Sequence, residues 1–194
     1  MLWNDRFCFL HYPKTAGKSL TRYFINVWSR PIRGLVSPGQ LNEVADMDLT
    51  DVELQVGRGH ENVTEARRKL AEDGRVLEDL DAVFVAIRNP YDLMVSNYFY
   101  MRKHFRGVNK KRPNFQIAAE NDFRDFCRLV GVASPKNWME VESGRLQNLE
   151  VLRFENMLED LRRLSQKYNF PVADLPHLNA VKRRHYSVYI DSEI

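Results

Sequence analysis

The sequence predicts an α/β fold of three layers, a mainly parallel central sheet flanked by helices. Two observations lead there. Short apolar runs suited to buried strands alternate with stretches whose apolar residues recur at helical spacing. The clearest strand, DAVFVAIR (81–88), is followed at once by Asn89 and Pro90, an N-cap and a first-turn proline that start a helix where the strand ends. With 194 residues, 44% of them hydrophobic, the chain can bury a real core and reads as one domain over 1–194.

The elements follow in order. FCFLHY (7–12) is a near-continuous apolar run, as expected of a strand buried on both faces. Leu20, Phe24, Val27 and Trp28 then keep helical spacing, until Pro31 and RGLVSPGQ open an irregular region. DVELQVGRGH (51–60) reads as a strand that stops at Gly57 and Gly59, and Thr64 as the cap of a helix running through Leu70 to Gly74. After Pro90, Met94, Tyr98, Met101 and Phe105 line one helix face. Asp122 caps a helix whose Phe123, Phe126, Cys127 and Val130 face the core. LEVLRFE (149–155) is the last strand, and Asn156 with Glu159 gives a capping-box-like start to a helix carrying Met157, Leu161, Leu164 and Tyr168. From Pro171 onward the chain reads as a polar loop.

Composition excludes several classes. No run of about 18 apolar residues occurs, so no membrane-spanning segment is expected. Asp5 and Arg6 interrupt any leader-like apolar region at the N-terminus. Cys8 and Cys127 lie in apolar segments without zinc-site spacing, which suits buried thiols in a reducing, cytoplasmic setting. Net charge is +3, so the chain as a whole is no polycation. Yet RKHFRGVNKKR (102–112) holds six Lys or Arg, and KRR recurs at 182–184. Such clusters read either as solvated loops or as attractors of an anionic ligand. Only Phe105 interleaves the first, so a nucleic-acid surface is not expected.

The stretch FLHYPKTAGKSLTRYF (9–24) places Lys14 and Lys18 in the turn between the first strand and its helix. A turn of this kind presents backbone N–H groups at the positive end of the helix dipole, which makes an anion site. Thr15 through Leu20 would supply those groups, and Gly17 permits close approach. A kinase-type loop needs G-x-x-x-x-G-K-[ST]. Gly17, Lys18 and Ser19 satisfy its end, but Tyr12 stands where its first glycine belongs, and Pro13 lacks an N–H. The strand 81–88 ends in Arg88 rather than in a metal-binding Asp, so no metal is expected. A small-molecule or nucleotide kinase using Lys18 is the rival enzyme, and an anion-binding or nucleic-acid-binding module built on 102–112 the rival non-enzyme.

HYPKTAGKSL resembles the 5′-phosphosulfate loop of the sulfotransferases, P-K-T-[GA]-x-[ST] after the first strand. VAIRNPYDLMVSNYFY (85–100) resembles that family's 3′-phosphate segment, R-N-P-Y-[DE] followed by a helical serine, with Arg88 and Ser96 at the matching positions. GRGH (57–60) is similar to the G-H segment of glycosaminoglycan 2-O-sulfotransferases and related carbohydrate enzymes. LPHLNAVKRRHYSVYIDSE (175–193) resembles the loop those enzymes fold over the nucleotide. Together these matches run from residue 7 to the end of the chain.

The resemblance implies a P-loop nucleotide kinase-like sheet with the cofactor, 3′-phosphoadenosine 5′-phosphosulfate (PAPS), at the strand C-termini, no metal, and the bisphosphate PAP as product. It implies that Lys14 neutralises the leaving phosphate oxygen. Thr15, Ala16, Gly17, Lys18, Ser19 and Leu20 would bind the 5′-phosphate, Lys18 either doing so or facing solvent. Arg88 and Ser96 would hold the 3′-phosphate; an arginine at a buried strand end could instead be half of an ion pair. Asn179, Lys182 and Arg183 would meet the nucleotide from the closing loop. His60 is the general-base candidate, with Glu61 beside it as the alternative, and His11 reads as structural. The acceptor would be a hydroxyl on a carbohydrate, itself anionic if the 102–112 cluster holds it.

Overall fold

A computed structural model describes residues 1–131, 134–142, 144–176, 178 and 184–189. The chain divides into two compact units, Met1–Ile87 with Pro135–Ala180, and Arg88–Ser134 with Val181–Ile194.

In chain order the strands are β1 (Leu2–Trp3), β2 (Phe7–Leu10), β3 (Ile32–Val36), β4 (Val52–Val56), β5 (Ala82–Ile87), β6 (Glu140–Val141), β7 (Gly144–Arg145) and β8 (Leu149–Arg153). The helices are α1 (Gly17–Val27), α2 (Pro38–Glu43), α3 (Val63–Glu72), α4 (Pro90–Lys103), α5 (Pro113–Glu120), α6 (Phe123–Val130) and α7 (Met157–Tyr168). A six-stranded sheet in the order β4-β3-β1-β2-β5-β8 forms the first unit, and β6 pairs with β7 apart from it. β3–β4, β2–β5 and β5–β8 are parallel; β1 runs antiparallel to both its neighbours. The sheet is therefore mixed and mostly parallel, with helices against it.

Strand periodicity sorts the core. Phe7, Phe9, Ala82, Phe84 and Ala86 enter one cluster with Leu20, Phe24, Val27 and Trp28 of the α1 segment and Met157, Leu161 and Leu164 of α7. The alternate residues Cys8, Leu10, Val83 and Val85 are equally buried, so β2 and β5 are covered on both faces. Leu2 belongs to the aromatic side, while Trp3 points the other way and donates from Nε1 to Asp73 Oδ2 (2.9 Å) at the α3 C-cap. Phe24 stacks on Trp28 at 4.4 Å, and both rings contact Phe84. Each such buried ring contributes about 1.5–3 kcal/mol, well above the ~0–1 kcal/mol of an exposed ion pair.

Several boundaries differ from the sequence reading. RGLVSPGQ is not irregular: it ends β3 and starts α2. Ser37 caps α2 in a capping box with Gln40, and Pro38 serves as a first-turn residue. The α3 cap is Asn62, boxed with Glu65; Thr64 lies inside the helix. No side chain caps α7 at Asn156, because a 3₁₀ turn (Phe154–Asn156) leads into it. Asp160, rather than Glu159, is the useful acid there: its Oδ2 accepts from Arg153 N at 2.7 Å.

The second unit is helical. Asn89 and Asp122 cap α4 and α6 as expected, and Met94, Tyr98, Ala118 and Phe126 form its core with Met101, Phe123, Cys127 and Val130. The basic stretch contributes to this packing. Arg102 lies over the Tyr98 ring and donates to Ala118 O (3.1 Å), and Arg112 lies over Phe115. Lys103, Arg106, Lys110 and Lys111 are exposed around a 3₁₀ turn at Gly107–Lys111. Among the described residues no helix is long and apolar enough to cross a membrane.

Candidate active site

The chain leaves β2 at Leu10 and turns through His11–Ala16 into α1. Lys14 and Ala16 both take left-handed backbone angles, φ 65° and 63°. Each costs a non-glycine residue on the order of 1–3 kcal/mol, strain that concentrates at functional turns. Between them Thr15 is fully buried, its Oγ1 donating to Tyr12 O at 2.7 Å. Left-handed residues in such a turn can gather N–H groups into an anion-binding concavity. The helix that follows fits that use. No side-chain hydrogen bond caps α1 at Ala16, as none caps α5 or α7, whereas Ser37, Asn62, Asn89 and Asp122 cap α2, α3, α4 and α6.

The rest of the first turn is divided among other tasks. The Leu20 N–H donates to Ala16 O (3.0 Å) and its side chain is in the core. Ser19 Oγ accepts from Leu178 N at 3.3 Å, which ties the segment after α7 to the loop helix. Lys18 Nζ pairs with Glu43 Oε1 at 2.9 Å, so its ammonium lies against the end of α2.

Two histidines lie beside the loop. His11 is buried, and its ring packs on Gly17 so closely that a Cβ there would fall 1.6 Å from Nε2. Its Nδ1 is 2.9 Å from Gln40 Nε2, while Gln40 Oε1 accepts from Ser37 N and Oγ. Those two bonds fix the amide, so Gln40 is the donor and the His11 proton resides on Nε2. Burial, then the neighbouring His60 and the Met1 ammonium, push the His11 pKa well below its usual value; a bond to the Gly59 backbone opposes them. Gly59 is itself required: it has φ +75°, and a Cβ would fall 2.1 Å from Gln40 Oε1.

The His60 ring lies 4.3 Å from that of His11, and its Nδ1 is 3.1 Å from the His11 carbonyl oxygen. A carbonyl only accepts, so neutral His60 carries its proton on Nδ1 and keeps the Nε2 lone pair. Burial lowers its pKa most; the His11 bond and Glu61 oppose this, and the Met1 ammonium and Arg58 reinforce it. Glu61 is differently employed. Its Oε1 accepts from Arg58 N (3.0 Å) and Gly59 N (3.1 Å), and its Oε2 is 3.2 Å from the Met1 ammonium. Burial acts to raise its pKa, but the ammonium and the backbone donors prevail and hold it below the usual value.

In the second unit, Arg88 precedes α4 and pairs through Nε with Asp92 Oδ2 at 2.6 Å; both side chains are nearly buried. Ser96 stands one turn beyond Asp92 on α4 and is half-buried. Asn179, Lys182 and Arg183 lie outside the described residues, as does His177. Sequence reasoning missed Gln40 and Glu43. The S-P-x-Q signature of a capping box was present at 37–40 but was overshadowed by two prolines and two glycines nearby.

No protein-family model matches the chain, and no curated protein matches it. Among solved structures, mouse sulfotransferase SULT7A1 complexed with PAP is similar, with a TM-score of 0.47 and 17% identity over 88% of this chain. The match spans 60% of the length of that chain.

Proposed function

We propose that the chain is a sulfotransferase that moves the sulfuryl group of PAPS to an acceptor hydroxyl, on a carbohydrate, by in-line transfer. One observation carries this reading: the strained PKTAG turn feeds an uncapped helix, and the lysine beyond it, Lys18, is engaged with Glu43. Lys14, in the turn after β2, is the other lysine of the loop and the one at the motif position. The kinase alternative needs Lys18 at a phosphate, where it would have to leave Glu43.

The residues fit an oxyanion. The N–H groups of Gly17, Lys18 and Ser19, at the positive end of α1, suit a 5′-phosphate. PAPS supplies an activated sulfuryl group, and negative charge grows on the bridging oxygen as the bond to sulfur breaks. Lys14 has the charge to stabilise it, at a place fixed by the Thr15–Tyr12 bond. His60 Nε2 is the general base that takes the proton of the acceptor hydroxyl. Its depressed pKa keeps it neutral at physiological pH, whereas Glu61 has both carboxylate oxygens occupied. Arg88, Ser96, Asn179, Lys182 and Arg183 keep their nucleotide roles on the strength of the motifs.

The test is incubation with PAPS and a panel of neutral and anionic sugars, following PAP release and sulfated product. Metal-independent transfer to a sugar, lost in Lys14→Ala and His60→Gln, is the expected result. Release of PAP that is indifferent to both substitutions would overturn the reading.

A further inference from the structure

His60 does not stand alone in the fold. Behind it is a buried chain of hydrogen bonds that starts on α2: Ser37 N and Oγ to Gln40 Oε1, then Gln40 Nε2 to His11 Nδ1 at 2.9 Å. His11 closes the chain with its carbonyl, 3.1 Å from His60 Nδ1, and its ring backs the His60 ring at 4.3 Å. Gln40 and His11 are 2% and 5% exposed, so the bond between them is shielded from water. An amide whose oxygen is already fixed by two donors can only donate to His11. It thus selects one neutral tautomer of His11, with the proton on Nε2.

We propose that His11 is the positioning residue for His60: Gln40 holds the His11 ring in one tautomer, that ring backs the base, and the His11 carbonyl takes the Nδ1 proton of His60, so that Nε2 of His60 stays the proton acceptor. The inference rests on the base role of His60. It assigns His11 a task that its core location alone would not reveal. It also accounts for Gly17, where any side chain would displace the His11 ring.

Ring ¹⁵N NMR of the full chain reads this directly. The charged groups near the two rings are the Met1 ammonium, Glu61, Arg58 and Lys14, and all are left in place. The parent should show His60 as a single Nδ1–H tautomer and His11 as Nε2–H. Gln40→Leu removes the donor, and His11 should become a mixture of tautomers. That variant also loses the α2 capping box, so Gln40→Glu is measured beside it. Its carboxylate still accepts from Ser37 but draws a proton onto His11 Nδ1. An imidazolium then backs His60, ring to ring at 4.3 Å, and should lower the His60 titration midpoint by about 0.5 pH unit or more. If Gln40→Glu folds and the titration of His60 is unchanged, or if Gln40→Leu leaves His11 a single tautomer, the proposal fails. Titration of the parent with PAP in EDTA separates the two questions: absence of binding there overturns the sulfotransferase reading, whereas the NMR result bears on the histidine pair.

Discussion

The Lys18 ammonium lies 2.9 Å from Glu43 Oε1, so the second lysine of the loop braces α1 against α2. Both side chains are about one-third exposed, and such pairs contribute ~0–1 kcal/mol. Lys18→Ala should therefore change PAP affinity less than about 3-fold and stability by under about 1 kcal/mol. Lys14→Ala should lower the transfer rate by about 10²–10³, the usual loss for one group opposing developing charge. Calorimetry and turnover of the two variants side by side check this.

Transfer should depend on pH through His60. Its pKa is lowered from 6.5, so the neutral base is lost only in acid: the rate rises with pH, with an apparent pKa below 6.5, and then levels off. His60→Gln should remove that limb together with about 10²–10⁴ of the rate. A pH–rate profile of both proteins is the check.

Stability should follow pH in the same direction. His11 and His60 both have folded pKa values below the unfolded value of 6.5, so unfolding takes up protons in the window between. Their contribution is complete above 6.5 and is lost as pH falls toward the folded values, at up to about 1.4 kcal/mol per pH unit for each ring. Urea unfolding at about pH 7.5 and about pH 5.5 should show the drop, and His11→Asn should make it shallower.

Gly17→Ala should cost about 3 kcal/mol or more, since its Cβ would land on the His11 ring. His11→Ala clears that space. The double variant should therefore be less destabilised than the sum of the two, with a coupling of about 0.5–3 kcal/mol in chemical unfolding.

Arg88→Ala should abolish PAP binding, but it also strands Asp92 in a nearly buried site, a loss of about 3–5 kcal/mol. Removing both partners separates the effects. Arg88→Ala with Asp92→Ala should regain most of the stability and still not bind PAP. Recovery of binding in the double variant would show that Arg88 serves only the ion pair.

What the sequence made legible was whatever local chemistry encodes. The β2 and β5 runs, the Asn89–Pro90 helix start and the α6 stripe all appear as expected, because burial on both faces and capping leave plain local patterns. β1 was not legible, since two residues carry no periodicity. β3 and α2 were hidden by Pro31, Gly34, Pro38 and Gly39, residues that usually interrupt elements but here flank a strand and open a helix. Lys14, Arg88 and His60 could be named as candidates from motifs. The Lys18–Glu43 pair and the Gln40–His11 bond could not, because each joins residues more than twenty positions apart.

The most direct test is calorimetric titration of the parent, Lys14→Ala and Arg88→Ala with PAP in EDTA, against ATP with Mg²⁺. The sulfotransferase reading predicts metal-independent binding of PAP to the parent, lost in Arg88→Ala, and no comparable binding of ATP. Binding of ATP only with Mg²⁺, with none of PAP, would contradict it and make the loop a kinase loop.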